Sequence, residues 1–335
     1  MDSWQQAGDD DEAWGPPRVS LGAFWRVLAM AAMLGLVLGA LSLGRGRESG
    51  YAASSDSGLF AFGARDGIAL TSGYSDGTNP LITWSEIEPE DGVYNWSVLD
   101  NLIASASKAG KRIVPRIETN IDGGGVATPD WFFTSPGALY YYPSSGAQSH
   151  GYKSPVPWDP TFQQKFGAFL TAMGKRYNGN PTIAFFQTNA GGGMYGEQYM
   201  GNAAPGYTAS VQIATSKGWL DKWQAAFPSS HLAVMVNYLG GNIGEDVSAY
   251  AASKGIFLQQ NSPSLSSGSV ALFTANANKT RIILEVEDGG CQSATGSKFA
   301  AMITKVESYG FPIDYLMVCS QTFGDGGTAS TLPSV

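Results

Sequence analysis

The sequence predicts an α/β protein whose main domain is a (β/α)8 TIM barrel, preceded by a single N-terminal transmembrane helix. Three observations carry that expectation. Residues 81–118 read in order as a strand, an aromatic and acidic loop, a helix and a second strand, which is a βαβ unit. Strand-like apolar runs then alternate with helical patterns as far as Cys319. Such alternation over roughly 250 residues builds a parallel sheet closed on itself. Upstream, residues 27–44 run VLAMAAMLGLVLGALSLG without a charge, which is membrane length.

These patterns divide the chain into a polar, acidic tail (1–26), a transmembrane anchor or signal sequence (27–44), a linker rich in Gly, Ser and Arg (45–57) and the barrel domain (58–335). Arg18 and Arg26 precede the apolar run while Arg45 and Arg47 follow it, so flanking charge does not orient it. The small residues Tyr51 to Ser54 offer a cleavage site, but the long polar leader favours an uncleaved, single-pass type II anchor. On either reading the protein is membrane-anchored or secreted, with its barrel on the extracytoplasmic side and the membrane as one partner.

Of the 335 residues, 43% are hydrophobic and only 14% charged, enough to bury one large core. A formal charge of -8 without a basic stripe argues against nucleic acid as a partner. Nine Trp, fifteen Tyr and sixteen Phe suit sugar recognition, because apolar ring faces stack on aromatics. Most of them are nonetheless expected in the core.

Taken in order, Leu59–Ala64 is the first strand and Leu81–Ile87 the second. Between Ala69 and Leu81 there is no room for a full crossover helix. An open α/β sheet is the alternative, but the glycines near Gly63 and Gly67 lack the spacing and following helix of a nucleotide loop. Ser97 and Asp100 suggest a capping box for a helix that ends at Gly110. The third strand is Lys111–Glu118, and a long loop holding Trp131, the run Tyr140 to Tyr142 and Trp158 follows it. Asp159-Pro160 opens the next helix as cap and first turn, with Phe162, Phe166, Phe169, Leu170 and Met173 as its apolar stripe. The fourth strand, Ile183–Asn189, runs into a glycine-rich loop ending at Glu197. A helix from Thr208 to Phe227, a strand Leu232–Asn237, a helix Glu245–Ser253 and a strand Ile256–Gln260 come next. The last strands are Arg281–Val286 and Asp314–Cys319, separated by a helix carrying Phe299, Met302, Ile303 and Val306. The two cysteines, Cys291 and Cys319, follow neighbouring strands, so a disulfide is expected in an oxidising compartment, with two buried thiols as the alternative.

The block Trp84-Ser-Glu-Ile-Glu-Pro-Glu-Asp-Gly-Val-Tyr-Asn-Trp-Ser-Val-Leu-Asp100 resembles a motif of retaining glycoside hydrolases on (β/α)8 barrels. The β-galactosidase-like group and related bacterial barrels of unassigned function share it most closely. The resemblance implies an enzyme that hydrolyses O-glycosidic bonds in an oligo- or polysaccharide substrate with two carboxyl groups and no cofactor. It places an acid/base after strand four and a nucleophile on strand seven, hence Glu197 and Glu285. Gly-Met-Tyr-Gly-Glu197 resembles a loop of the unassigned barrels, and more distantly the Gly-Glu of β-amylases. Where the named hydrolases end strand four with Asn-Glu, this chain has Asn189-Ala190. That departure leaves open a catalytically inactive carbohydrate-binding barrel.

On the seventh strand the period of two puts Ile283, Glu285 and Glu287 on one side. Glu285 is preferred as nucleophile, with Glu287 as the alternative and an ion pair to Arg116 or Lys279 as the structural reading. Arg116 and Glu118 share a face of strand three with Val114, while Gln187 and Asn189 share a face of strand four, positions suited to sugar hydroxyls. Trp84, Trp131, Trp158 and Tyr195 are candidates for ring stacking, with Asn237, Tyr238 and Gln259 as further rim residues. Two histidines, His150 and His231, are too few and too separate for a metal site.

Overall fold

A strand buried on both faces shows its partners through the parity of its side chains, and the first strand, β1 (Gly58–Phe62), sets the pattern. Phe60 turns toward one apolar cluster and Leu59 and Ala61 toward another. The computed structural model describes residues 57–323 apart from 64, 66, 74, 121–126, 145–146, 149, 192–199, 237–238, 240, 263 and 287–303. The expected membrane segment lies outside them. Among the described residues no helix is long and apolar enough to cross a membrane.

Every pairing in the main sheet is parallel. β1 pairs on one side with β2 (Gly77–Asn79 and Leu81–Thr83) and on the other with β8 (Tyr315–Cys319). β2 pairs with β3 (Arg112–Ile113 and Arg116–Glu118), and β3 with β4 (Phe186–Thr188). β5 (Leu232–Met235), β6 (Phe257–Gln260) and β7 (Ile282–Val286) continue the series to β8. The sheet therefore closes as eight staves. β2 and β3 each fall into two short pieces because Pro80 and Pro115 have no N–H to give. Their carbonyls keep the ladder continuous: Pro80 accepts from Arg116 N at 3.1 Å and Pro115 from Gln187 N at 3.0 Å. Gly77 is forced by closeness, since a Cβ there would lie 1.7 Å from the Arg112 carbonyl oxygen.

Parity along the staves separates two cores. Phe60, Val114, Phe185, Phe257, Ile283, Tyr315 and Met317 fill the lower lumen. Arg112 lies 5.8 Å from the Phe60 ring, and Arg281 5.7 Å from that of Phe257. The alternate residues, such as Ile82, Ile113, Ile117, Phe186, Val234, Leu258, Leu284 and Leu316, pack outward against the helices. Burying large side chains there contributes about 1.5–3 kcal/mol each.

The helices mostly follow their sequence signals. Pro160–Tyr177 is capped by Asp159, whose Oδ2 accepts from Phe162 N at 2.9 Å, and it buries the expected stripe. Thr208 caps Ala209–Ala226 in the same way. The first crossover carries only a five-residue helix, Gly67–Thr71, which is how the chain fits so short a stretch.

Several expectations are corrected. The helix Ser97–Lys108 has Trp96 as its N-cap, whose indole offers no acceptor, while Asp100 is held by Arg176 and Tyr177 and the Ser97 hydroxyl donates to Asn95. The second strand stops at Thr83. A capping box between Thr83 and Glu86 then turns residues 84–87 into a helical turn. The helix Gly241–Ser253 begins four residues before Glu245, and a helix Ser267–Asn276 lies where none was expected. In the long loop after β3 the chain forms a short helix (Asp130–Phe133) and an antiparallel ribbon joining Tyr140–Tyr141 to Ser154–Pro155. Of the last expected helix, Val306 is buried on a turn at 304–307, while Phe299, Met302 and Ile303 lie outside the described residues.

Candidate active site

Above the aromatic floor of the lumen, the inward positions of the staves change from apolar to polar near their C-terminal ends. β7 runs Ile283 inward, Leu284 outward, then Glu285 inward, and Glu285 is 0% exposed. Gln259 on the adjacent stave β6 donates from Nε2 to Glu285 Oε2 at 3.1 Å. Arg116 of β3 brings Nη1 to within 3.5 Å of the same oxygen. The guanidinium also reaches along its own strand, placing Nε 3.0 Å from Glu118 Oε1. One buried cation thus stands between two buried carboxyl groups, and Phe62 offers its ring 5.5 Å from that cation.

The electrostatics follow from burial. Desolvation pushes the Glu118 carboxyl above the ordinary carboxylate range, and the charge and hydrogen bond of Arg116 oppose that push. Arg65 is a more distant cation that also favours the charged form of Glu118. It is itself tied to Glu86 at 2.7 Å.

Gln187 of β4 completes the layer together with Asn79 of β2, which donates to Gln187 Oε1 at 3.3 Å and to the Val114 carbonyl at 2.7 Å. Asn79 is the residue that sequence reading missed. Its signal was the β-strand pattern on the far side of Pro80, which makes Gly77–Asn79 part of the second stave. The chain leaves β4 through Gly191, where a Cβ would meet the Met235 carbonyl oxygen at 1.8 Å.

The expected residues therefore divide. Arg116, Glu118, Gln187, Gln259 and Glu285 converge in the lumen. Asn189 does not join them: its Oδ1 accepts from the Trp223 indole at 2.9 Å, which turns the carboxamide toward the helix Ala209–Ala226. Trp84 is corrected as well. Its place in the helical turn directs it outward, where it is fully buried among Trp131, Phe132, Phe162, Phe166 and Phe169, with no ring face left for a sugar. Its indole donates to Glu88 Oε2 at 2.6 Å, while Glu88 Oε1 accepts from Gly92 N at 2.8 Å. The Trp84, Glu88 and Gly92 positions of the sequence block thus form a structural clasp. Trp131 is half-buried against Trp84 and donates to the Glu88 carbonyl at 2.9 Å. Trp158 donates to the Pro205 carbonyl at 2.9 Å and leans on Tyr207. Glu197, Glu287, Tyr195, Asn237 and Tyr238 lie outside the described residues. Cys319 is disulfide-bonded, and Cys291, the other cysteine of the sequence, lies outside the described residues too. Among the described residues no cluster of three or more His, Cys, Asp or Glu could hold a metal ion.

Residues 80–221 match the family model described as beta-galactosidase. The chain resembles the (β/α)8 glycoside hydrolases. The matched segment runs from β2 through β4 into the helix Ala209–Ala226, so Arg116, Glu118 and Gln187 fall inside it and Glu285 beyond it. Comparison with curated proteins finds no match. Among solved structures, an exo-β-1,4-mannosidase from the Opitutaceae bacterium strain TAV5 aligns at 13% identity and a TM-score of 0.52, covering 82% of this chain and 54% of that one. The chain thus spans about half the length of the mannosidase, and at that identity the likeness is one of fold. A xylanase 10B from Thermotoga petrophila RKU-1, in complex with xylobiose, aligns at 10% identity and a TM-score of 0.49, covering 79% of this chain and 82% of that one. Endo-glycoceramidase II from Rhodococcus sp. aligns at 11% identity and a TM-score of 0.41, covering 75% and 61%.

Proposed function

We propose that the barrel is a glycosidase that hydrolyses O-glycosidic bonds of an oligo- or polysaccharide by a two-carboxylate, retaining mechanism. The observation that carries this reading is Glu285: an acid at the C-terminal end of a barrel stave, sunk in the lumen and held at Oε2 by Gln259 and Arg116. Burying a carboxyl there is costly without a partner or a purpose, and the C-terminal ends of such staves are where barrel enzymes keep their chemistry. Arg116 places a positive charge beside it, and Gln259 fixes its orientation.

On this reading the Glu285 carboxylate attacks the anomeric carbon while Glu197, as acid, gives its proton to the departing glycosidic oxygen. The glycosyl ester is then hydrolysed by water that Glu197, now a base, deprotonates. Glu287 is the alternative nucleophile. Two carboxyl groups about 5 Å apart correspond to retention and about 6.5–9.5 Å apart to inversion. Extracytoplasmic placement, by anchor or by secretion, belongs to the same proposal, and the disulfide at Cys319 supports an oxidising compartment.

A second reading, a carbohydrate-binding barrel without turnover, is favoured by one observation. Ala190 is fully buried where the named hydrolases carry their strand-four acid, and Asn189 is committed to Trp223. The test is turnover of a panel of aryl glycosides by the purified full chain beside its Glu197→Gln and Glu285→Gln variants. Turnover abolished by both changes supports the two-carboxylate reading; saccharide binding without turnover selects the second.

A further inference from the structure

Two side-chain oxygens in the polar layer have a forced orientation. Asn79 donates from Nδ2 to the Val114 carbonyl at 2.7 Å and to Gln187 Oε1 at 3.3 Å. A carbonyl only accepts, so the amide nitrogen must lie on that side and Oδ1 on the other. Gln259 is oriented by the Glu285 carboxylate, which in its ionised form only accepts and takes Nε2 at 3.1 Å. Both residues are fully buried, and among the described residues neither Asn79 Oδ1 nor Gln259 Oε1 has a hydrogen-bond partner. A buried acceptor left in that condition costs about 1–3 kcal/mol, a cost that a ligand donor would remove.

Their placement is as informative as their chemistry. β2 and β6 are opposite staves of the closed sheet, β6 adjoins the stave of Glu285, and β2 adjoins the stave of Arg116. A ring seated between them would be met by an acceptor from each side with Glu285 next to one of them.

We propose that Asn79 and Gln259 are specificity-determining residues of the saccharide site: Asn79 Oδ1 and Gln259 Oε1 each accept a hydrogen bond from a hydroxyl of a pyranose bound in the lumen. The ligand class rests on the glycosidase reading, while the contact itself is a matter of binding and not of turnover. Acceptor-only contacts make a chemical demand that a merely snug pocket does not. The sugar must donate, so replacing the relevant hydroxyl by fluorine, which cannot donate, costs as much as replacing it by hydrogen.

The experiment measures binding of methyl β-galactoside, β-glucoside and β-mannoside to the purified full chain by calorimetry or saturation-transfer NMR. For the sugar that binds, monodeoxy and monodeoxyfluoro analogues are taken at each ring hydroxyl. At two hydroxyls, both replacements are expected to weaken binding about tenfold, the net loss of one hydrogen bond to a buried acceptor. In Asn79→Ala one of those positions stops discriminating, so that the parent and its deoxy analogue bind alike. The analogue series on the unmodified protein decides the matter if that variant does not fold. Absence of binding by all three glycosides, deoxyfluoro analogues that bind like the parent, or discrimination that survives intact in Asn79→Ala would each overturn the proposal. The discriminating pattern without turnover sinks the hydrolase reading and leaves this one standing; turnover without the pattern does the reverse.

Discussion

Replacing Arg116 by Met removes the one cation placed between Glu118 and Glu285 while keeping most of the side chain's volume. In the native protein Arg116 is 4% exposed, with Nε 3.0 Å from Glu118 and Nη1 3.5 Å from Glu285. Removing one partner of a buried ion pair leaves uncompensated charge and costs about 3–5 kcal/mol. For a domain of this size that corresponds to a fall in Tm of roughly 10 °C. The loss should depend on pH. Burial already raises the Glu118 carboxyl and Arg116 opposes the rise, so the variant's carboxyl climbs further. A carboxyl whose folded pKa exceeds its unfolded value favours the fold while protonated, and that advantage is lost as pH rises through the folded pKa. The deficit relative to the unmodified protein is therefore smaller near pH 5 than near pH 8. Thermal unfolding followed by circular dichroism at both values measures it. A deficit equal at the two pH values, or a midpoint within about 2 °C of the unmodified protein at both, would refute the reasoning.

Trp84→Ala should cost about 3–5 kcal/mol in denaturant unfolding, since the indole is fully enclosed by aromatic rings, and should leave KM for any saccharide that turns over unchanged. Glu88→Ala should cost about 2 kcal/mol by stranding the Trp84 and Gly92 N–H groups, and Glu88→Gln, whose amide oxygen can serve only one of those two donors while its NH2 faces the other, should recover at most part of that loss by the same measurement. Cys291→Ser should lower stability by about 2–4 kcal/mol and release one thiol, titratable in denaturant and assigned by peptide mapping to Cys319.

Much of the fold was legible because the barrel repeats one local device. The period of two placed Glu285 with Ile283, and the structure puts both in the lumen for that reason. Asp159-Pro160 announced its helix through capping chemistry that does not depend on distant contacts. Trp84 was misplaced although Thr83 and Glu86 carried a capping box in plain view; the apolar and aromatic composition of residues 81–87 outweighed it. The helix Ser267–Asn276 escaped because its apolar residues do not gather on one face, and tertiary packing rather than amphipathic pattern holds it. Asn189 lies at the last turn of a stave, where strand parity ceases to govern direction and the Trp223 indole decides it. Asn79 was missed because Pro80 interrupts the second stave, and the strand pattern on its far side covers only Gly77–Asn79.

The most direct test of the central claim is the mass of the full chain after incubation with an activated 2-deoxy-2-fluoro glycoside of the sugar that it turns over. Fluorine at that position slows both steps, and an activated leaving group restores the first, so a glycosyl ester accumulates on the nucleophile. The expected result is a single added glycosyl mass that peptide mapping assigns to Glu285 and that Glu285→Gln abolishes. A label carried by Glu287 or any other residue, or turnover that never leaves a label, contradicts Glu285 as the nucleophile of a retaining barrel.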